Sequence, residues 1–195
     1  TSEDNIKEIT IPWFVEYIKT NALSKFINLT SVKWEAINCT FPYNLESPFY
    51  ASKENITSFT FGDKVETIPS SLCYGMTGLK EINIPHSVTS IGSNTFNGCT
   101  DLRTITIGEG VESIGENAFA GCKNLKQVTA YPMSVPEVEN EDVFANYNAY
   151  LYVPCDVHED YDLDDVFGNF KYIKCIESEE VDAPEKVEIE VDEDN

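Results

Sequence analysis

Residues 79–124 of the chain consist of two segments of 23 residues that align without a gap. The segments read LKEINIPHSVTSIGSNTFNGCTD and LRTITIGEGVESIGENAFAGCKN, and their apolar residues fall at the same places. Ile82 corresponds to Ile105, and Phe96 corresponds to Phe119. Self-similarity at a fixed period of this length is the signature of a solenoid, because each copy needs its neighbours to bury its apolar face.

The same frame extends from this segment in both directions. Residues 6–28 and 56–78 are further copies of 23 residues, and residues 29–55 form a copy with four extra residues. A looser copy begins at Leu125, and the last copy is predicted to begin at Leu151, where the sequence reads LYVP. The chain therefore holds about seven copies, and the atypical ones lie near the ends, where capping is expected.

The shared pattern L-x-x-I-x-I-P-x-x-V-x-x-I-G-x-x-A-F-x-G-C resembles the BspA-like class of bacterial leucine-rich repeats. The resemblance covers about residues 6–176 and is strongest over 56–124. It implies a leucine-rich repeat right-handed solenoid of about seven coils of ~23 residues, mostly strand and turn with short helical segments. We expect one solenoid domain over residues 1–176, including a C-terminal cap at about 151–176.

Within each copy, the segment L-x-x-I-x-I alternates as a half-buried strand does. Ile82 and Ile84 are therefore predicted to point into the core, where Phe96 and Phe119 form a stacked layer. Residues 37–55 carry the four extra residues, several prolines and a set of aromatic side chains, which indicates a longer loop. These rings either cover the side of the solenoid or form an exposed patch that meets a ligand. They are Phe41, Tyr43, Phe49 and Tyr50.

The formal net charge of -21 is unevenly distributed. Residues 1–135 hold 14 acidic and 10 basic residues, giving -4, whereas residues 136–195 hold 20 acidic and 3 basic residues, giving -17. Binding to nucleic acid or to an anionic membrane requires the opposite sign, so we exclude both. Residues 177–195 have the composition of an acidic tail or linker, although residues 186–191 alternate as a strand does.

The sequence contains no run of about 18 apolar residues, so no membrane insertion of this region is expected. It contains no signal or anchor segment, and its first residues, TSEDN, are polar. Either a targeting segment has been removed, or the chain starts inside a longer protein.

The sequence offers no catalytic set, metal site or cofactor motif. His86 and His158 lie in different copies and neither adjoins a serine or cysteine motif, so we expect no enzyme. Asp160, Asp162 and Asp164 have the spacing of a calcium loop, but the required glycine and the final glutamate of that loop are missing. An acidic, solvated cap is the favoured interpretation.

The six cysteines fall into two groups. Cys99 and Cys122 occupy the same repeat position, so their side chains run parallel and are predicted to be buried free thiols, as is Cys73. Cys155 follows a predicted strand and Cys175 lies in the closing strand, and neighbouring strands bring Cα atoms close enough for a disulfide. That bond requires an oxidising compartment, and the alternative is that both residues remain thiols.

The outward positions of the predicted strands form a polar, threonine-rich ladder with a basic edge at Lys80, Arg103 and Lys126. A solenoid binds its partners through this extended strand surface, although threonine also suits a merely solvated sheet. The candidate ligand-binding residues are Lys80, Glu81, Asn83, Arg103, Thr104, Thr106, Lys126, Gln127 and Thr129.

The family resemblance implies a non-catalytic binding module of a secreted or cell-surface bacterial protein, acting in adhesion or protein–protein contact. Its partner would be a protein ligand, such as a host extracellular or cell-surface protein. One alternative is a structural spacer that presents a neighbouring domain, which a featureless strand face would favour. Another is a glycan-binding module of a surface lipoprotein, which exposed aromatic residues in the 37–55 loop would favour.

Overall fold

A strand of four or five residues recurs at intervals of 22 to 27 residues along the chain. In the computed structural model, which describes residues 5–42 and 47–176, these strands form one side of a parallel β-solenoid. They are β1 (Glu8–Ile11), β2 (Ser31–Trp34), β3 (Ser58–Phe61), β5 (Glu81–Ile84), β7 (Thr104–Ile107), β9 (Gln127–Ala130), β11 (Tyr150–Pro154) and β12 (Tyr172–Ile176). The predicted leucine-rich repeat solenoid is therefore confirmed.

The pairing of these strands preserves the repeat frame. Ile82 lies opposite Ile105, and Ile105 lies opposite Val128, so equivalent residues stack on one another. Ile82 and Ile84 are buried, whereas Glu81 and Asn83, which alternate with them in β5, are exposed. The alternation that the sequence predicted for a half-buried strand is confirmed.

A second sheet, absent from the sequence prediction, runs along another side of the coils. It consists of the two-residue strands β4 (Thr67–Ile68), β6 (Ser90–Ile91), β8 (Ser113–Ile114) and β10 (Glu137–Val138). Their order in the sheet is β10-β8-β6-β4. Two residues are too few to show a periodic pattern, and these strands exist because stacked coils place their backbones side by side.

The core is a stack of equivalent side chains. The rings of Phe96 and Phe119 are parallel, with centroids 5.3 Å apart, and Phe119 stacks in the same way on Phe144 at 5.2 Å. Phe96 and Phe119 have no exposed surface. This confirms the predicted phenylalanine layer and extends it by one coil.

The last copy begins earlier than the sequence interpretation placed it. Leu151 pairs with Val128, which is the fourth position of its copy, so Leu151 is a core residue of the strand and not the first residue of a copy. The copy therefore starts at residue 148, and the period of 23 residues continues unbroken. The prediction was wrong because a leucine followed by alternating apolar residues fits both registers.

The aromatic residues of the 37–55 loop mainly cover the core. Phe49 is fully buried, and its ring meets those of Trp34 and Phe59 edge to face at centroid distances of 6.4 and 5.9 Å. Phe41 is half-buried, and Tyr50 is 39% exposed. Tyr43 lies outside the described residues, so the loop supplies one exposed ring among those that the structure describes.

A cap closes the C-terminal end of the solenoid before β12. It contains a 3-10 turn at Cys155–Val157, the helix α1 (His158–Leu163) and a second 3-10 turn at Phe167–Asn169. Tyr161 is fully buried within the cap, and its hydroxyl donates a hydrogen bond to the carbonyl of Pro132 at 3.2 Å. None of the helices in residues 5–42 and 47–176 has the length and apolar character needed to cross a lipid bilayer. The predicted strand at 186–191 and the acidic tail lie outside the described residues.

Four thiols are buried in the stack as free cysteines: Cys39, Cys73, Cys99 and Cys122. The Cys122 thiol donates a hydrogen bond to the carbonyl of Phe96 at 3.3 Å, and the Cys99 thiol donates to that of Cys73 at 3.3 Å. Burial raises the pKa of Cys122 to about 12 and the pKa of Cys39 to about 11. The thiols are therefore protonated and unreactive at neutral pH, as expected of structural cysteines.

Candidate ligand-binding surface

The outward positions of β5, β7 and β9 form two straight rows of polar side chains. In the first row, Glu81 lies opposite Thr104, which lies opposite Gln127. In the second row, Asn83, Thr106 and Thr129 are aligned in the same way. Parallel strands are about 4.8 Å apart, so each row presents a regularly spaced set of hydrogen-bonding groups. The structure thus brings six of the nine predicted ligand-binding residues together on one face.

The other three predicted residues form an exposed basic edge beside these rows. Lys80, Arg103 and Lys126 each precede a strand and are exposed. The Arg103 backbone N–H donates to the Lys80 carbonyl at 2.8 Å, and the Lys126 N–H donates to the Arg103 carbonyl at 2.9 Å. These backbone contacts stack the three residues in successive coils. In the next coil Ala149 precedes the strand and is buried, so the basic edge ends there.

The same face ends in a cluster of tyrosines that sequence reasoning missed. Tyr150 follows Gln127 in the first row, Tyr172 follows Tyr150, and Tyr152 follows Thr129 in the second row. The rings of Tyr150 and Tyr172 stack with centroids 4.7 Å apart, and Tyr152 lies 6.2 Å from Tyr150. The outward positions were predicted only through the copy that begins at Leu125, and the start of the last copy was placed three residues late, at Leu151. The unbroken 23-residue count was the signal that could have found the cluster.

Two lysines adjoin the tyrosine cluster. The ammonium group of Lys174 lies 4.9 Å from the centroid of Tyr150, and that of Lys171 lies 5.2 Å from the centroid of Tyr172. Such cation–π contacts hold the side chains against the rings. Tyr150 and Tyr172 are each 39% exposed, so this end of the face presents aromatic surface, hydroxyl groups and positive charge together.

The strand face is divided between β3 and β5. These strands belong to different sheets, although the same two coils remain paired on the second sheet through β4 and β6. β3 carries Phe59 and Phe61 at the inward positions where β5 carries Ile82 and Ile84. An open cleft at this division is lined mainly by the outward polar residues of β3, β5 and β7.

The acidic residues considered for calcium binding lie in the C-terminal cap. In the part of the chain that the structure describes, no three histidine, cysteine or acidic side chains are grouped closely enough to hold a metal ion. Asp164 is already engaged, because its Oδ1 accepts hydrogen bonds from the backbone N–H groups of Val166 and Phe167 at 2.9 and 2.8 Å. The acidic cap thus uses one of its three spaced aspartates to begin the final 3-10 turn.

Cys155 and Cys175 lie next to each other at the end of the solenoid. β11 and β12 are paired in parallel, with Val153 opposite Cys175, and Cys155 directly follows β11. The structure joins the two sulfur atoms in a disulfide, and the Cα atoms are 4.5 Å apart. The bond ties the closing strand to the turn that leads into the cap.

The repeat frame seen in the structure also matches a known repeat family. The model of the BspA-type leucine-rich repeat region, in six copies, matches residues 1–126 and 43–151. The chain belongs to this family. No curated protein sequence matches the BspA-type array described here.

Three solved structures share the fold of this BspA-type array. A leucine-rich repeat protein from Bacteroides ovatus is 23% identical with a TM-score of 0.64, covering 88% of this chain and 43% of that one. The pneumococcal vaccine antigen PcpA is 18% identical with a TM-score of 0.64, covering 88% and 42%. A leucine-rich cell surface protein from Faecalibacterium prausnitzii is 24% identical with a TM-score of 0.52, covering 72% and 35%. The chain thus spans less than half the length of each of these proteins.

Proposed function

We propose that the BspA-type array is a non-catalytic module that binds a protein ligand through its strand face. The observation that carries this proposal is the continuous face of β5, β7, β9, β11 and β12, which ends in the stacked tyrosines Tyr150 and Tyr172. Tyrosine and arginine are enriched among the residues that dominate protein interfaces, and solenoids use their extended strand surface for recognition.

The charge of the face supports a partner of opposite charge. The basic edge of Lys80, Arg103 and Lys126, together with Lys171 and Lys174, stands out in a chain with a net charge of -21. A surface of this sign attracts an acidic region of a partner. We therefore assign the ligand as a protein with an acidic patch.

The proposed location is outside the bacterial cell. Membership of the BspA-type family supports it, as does the fold shared with a protein described as a leucine-rich cell surface protein. An extracellular location also provides the oxidising conditions that a disulfide between Cys155 and Cys175 requires. The partner is then a protein of the host surface or extracellular matrix, and the role is adhesion.

The two alternative functions make different demands on the surface. A spacer needs no ordered contact surface, whereas this strand face carries aligned polar rows and exposed stacked rings. A glycan-binding module built on the 37–55 loop needs exposed aromatic residues there, whereas Phe49 is fully buried and Phe41 is half-buried. The strand face therefore favours protein binding over both alternatives.

The test compares two triple charge reversals in the intact chain. The face variant carries Lys80→Glu, Arg103→Glu and Lys126→Glu, and the control variant carries Lys19→Glu, Lys25→Glu and Lys123→Glu, which changes the net charge by the same amount. Both are assayed by surface plasmon resonance against an array of host extracellular and cell-surface proteins. We expect the face variant to slow association with the captured protein at least about tenfold, in a salt-dependent way, and the control to leave it within about twofold. Equal effects of the two variants would place the contact elsewhere.

A second pair of substitutions tests the tyrosine end of the same face. Tyr150→Ser and Tyr172→Ser should accelerate dissociation of the same protein, because they remove buried aromatic contact and not long-range attraction. Unchanged dissociation would restrict the contact to the basic edge, and absence of any captured protein would favour the spacer.

A further inference from the structure

An exposed aromatic pair lies at the opposite end of the solenoid, in the turn that follows β1. Trp13 is 62% exposed and Phe14 is 64% exposed. In the regular copies, the position of Trp13 is occupied by polar residues. They are Asp63, His86 and Glu109. The repeat itself therefore does not require an aromatic residue here, and solvent exposure of an indole costs free energy that the fold does not recover.

Trp13 forms one side of a pocket at the carboxyl ends of the first three strands. The other lining residues come from the turns after β2 and β3. They are Glu35, Ile37, Gly62, Asp63 and Lys64. Three successive coils thus contribute to one concavity, which is outside the strand face proposed above for protein binding.

Backbone hydrogen bonds hold these three coils in place beneath the pocket. The N–H of Glu35 donates to the carbonyl of Ile11 at 2.8 Å, and the N–H of Gly62 donates to the carbonyl of Trp34 at 2.8 Å. The edge-to-face contact between Trp13 and Phe14, with centroids 5.7 Å apart, steadies the exposed indole. The pocket is therefore preformed, which lowers the entropic cost of binding a ligand.

Gly62 keeps the pocket open toward Glu35. A Cβ atom at residue 62 would lie 3.3 Å from the Cγ of Glu35, closer than an ordinary van der Waals contact. The Glu35 carboxylate is in turn held by Lys33, whose Nζ lies 2.6 Å from Oε1. A carboxylate is thus oriented beside the indole at the rim of the same pocket.

The charges around the pocket are balanced. Two carboxylates, from Glu35 and Asp63, are matched by two ammonium groups, from Lys33 and Lys64. A polyanion or a polycation gains nothing from such a site, whereas an uncharged ligand with many hydroxyl groups finds both hydrogen-bond acceptors and donors.

From this combination we infer that the pocket of Trp13, Glu35, Asp63 and Lys64 binds a neutral sugar residue of a glycan. The indole offers a flat apolar face for the C–H groups of a pyranose ring, the carboxylates accept hydrogen bonds from its hydroxyl groups, and the lysine donates to its oxygens. The site is independent of the protein-binding face, so either proposal can fail without the other.

Tryptophan fluorescence of the intact chain gives a direct test. The chain has two tryptophans, and Trp34 is fully buried, so a ligand at the surface changes the emission of Trp13 against a constant Trp34 background. The probes are cellotriose, maltotriose, mannotriose, xylotriose and N,N′,N″-triacetylchitotriose, titrated into the millimolar range. We expect a saturable blue shift with at least one of them.

Variants are followed by saturation-transfer NMR, which does not depend on tryptophan emission. Trp13→Ala should abolish sugar binding, and Glu35→Gln or Asp63→Asn should weaken it about tenfold, the effect of losing one hydrogen bond to a charged group. Tyr131→Ala is the matched control, because Tyr131 is a 44% exposed aromatic residue in a turn of another coil. All four substitutions lie at the surface, and thermal melts check that each variant is folded.

Three outcomes would overturn the inference. The first is the absence of saturable binding by every neutral trisaccharide. The second is sugar binding that survives Trp13→Ala, or that requires a charged saccharide such as a heparin or hyaluronan fragment. The third is loss of binding to the captured protein ligand in Trp13→Ala without any sugar binding, which would make the aromatic pair a protein contact.

Discussion

The rings of Phe96 and Phe119 stack face to face, with centroids 5.3 Å apart and ring planes 4° apart, although a whole coil of chain separates the two residues. Phe119 makes the same contact with Phe144 on its other side. Phe119 therefore packs between the equivalent rings of the preceding and the following coil. The coils are coupled through this column, and the array should unfold as one cooperative unit.

Truncation of the central ring tests this coupling. Phe119→Ala should lower the free energy of unfolding by about 3–5 kcal/mol, because a fully enclosed ring leaves a cavity that its stacked neighbours cannot fill. Phe14→Ala, at a ring that is 64% exposed, should change it by less than about 0.5 kcal/mol. Urea unfolding followed by circular dichroism measures both. A loss below about 1 kcal/mol for Phe119→Ala would contradict the role of the column.

Two glycines at the same repeat position should respond differently to alanine. A Cβ atom at Gly108 would lie 2.5 Å from the carbonyl carbon and oxygen of Pro85, whereas one at Gly62 would lie 3.3 Å from the Cγ and 3.4 Å from the Cα of Glu35. Backbone atoms of a stacked coil cannot move without disturbing the whole coil. We therefore expect Gly108→Ala to cost about 1–3 kcal/mol and Gly62→Ala to be close to neutral. Thermal melts compare the stability of the two variants. Equal losses of stability would show that the distance to the neighbouring coil does not determine the cost of the added Cβ atom.

Features that recur in every copy of the repeat could be predicted from the sequence. The inward positions of β5 and β7 could be predicted because Ile82 and Ile105 belong to an alternating pattern that recurs at a fixed period. The second sheet could not be predicted, since its strands are two residues long and depend on the neighbouring coil. The tyrosine cluster was missed because the last copy was predicted to begin at Leu151, three residues too late. Leucine fits both the first position of a copy and an inward strand position, so the sequence allowed either register.

The Trp13 pocket shows a different limit of the sequence. Trp13 stands in the least regular copy, where an aromatic residue fits either a buried or an exposed position. Its exposure depends on how the turns after β2 and β3 meet the turn after β1. Contacts of this kind join different coils, and a single-copy pattern contains no information about them. Comparison of each copy with its regular neighbours, position by position, identifies such exceptions only after the frame is known.

Alkaline pH should destabilise the protein through its buried thiols. Burial raises the pKa of Cys122 to about 12 in the folded state, whereas a thiol in the unfolded chain has a pKa of about 8.5. Above about pH 9 the unfolded state therefore loses a proton that the folded state keeps, and stability falls by about 1.4 kcal/mol per pH unit for this thiol. The stability that the protonated Cys122 thiol contributes is fully present below the pKa that this thiol has in the unfolded chain. It is lost as the pH rises toward the pKa in the folded state.

The matched variant isolates this effect from other titrating groups. Cys122→Ala should unfold more easily at every pH because of the smaller side chain, but its stability should fall less steeply between about pH 9 and 11. Burial also raises the pKa of Tyr147 and Tyr161, and these contributions are the same in both proteins. Urea midpoints measured across this range give the two slopes. Parallel slopes would show that Cys122 ionises in the folded protein.

The disulfide should stabilise the C-terminal end of the solenoid. Cys155 and Cys175 are 20 residues apart in sequence, and β12 pairs with β11 alone among the described strands. A cross-link that closes a loop of this length contributes roughly 3 kcal/mol by restricting the unfolded chain. Reduction with dithiothreitol, or the double variant Cys155→Ala and Cys175→Ala, should lower the stability by about that amount.

The buried thiols Cys73 and Cys99 provide the control, because native protein should resist alkylation there with or without reductant. Mass mapping of protein purified without reductant decides the matter: alkylation of both Cys155 and Cys175 under those conditions would show that the bond does not form.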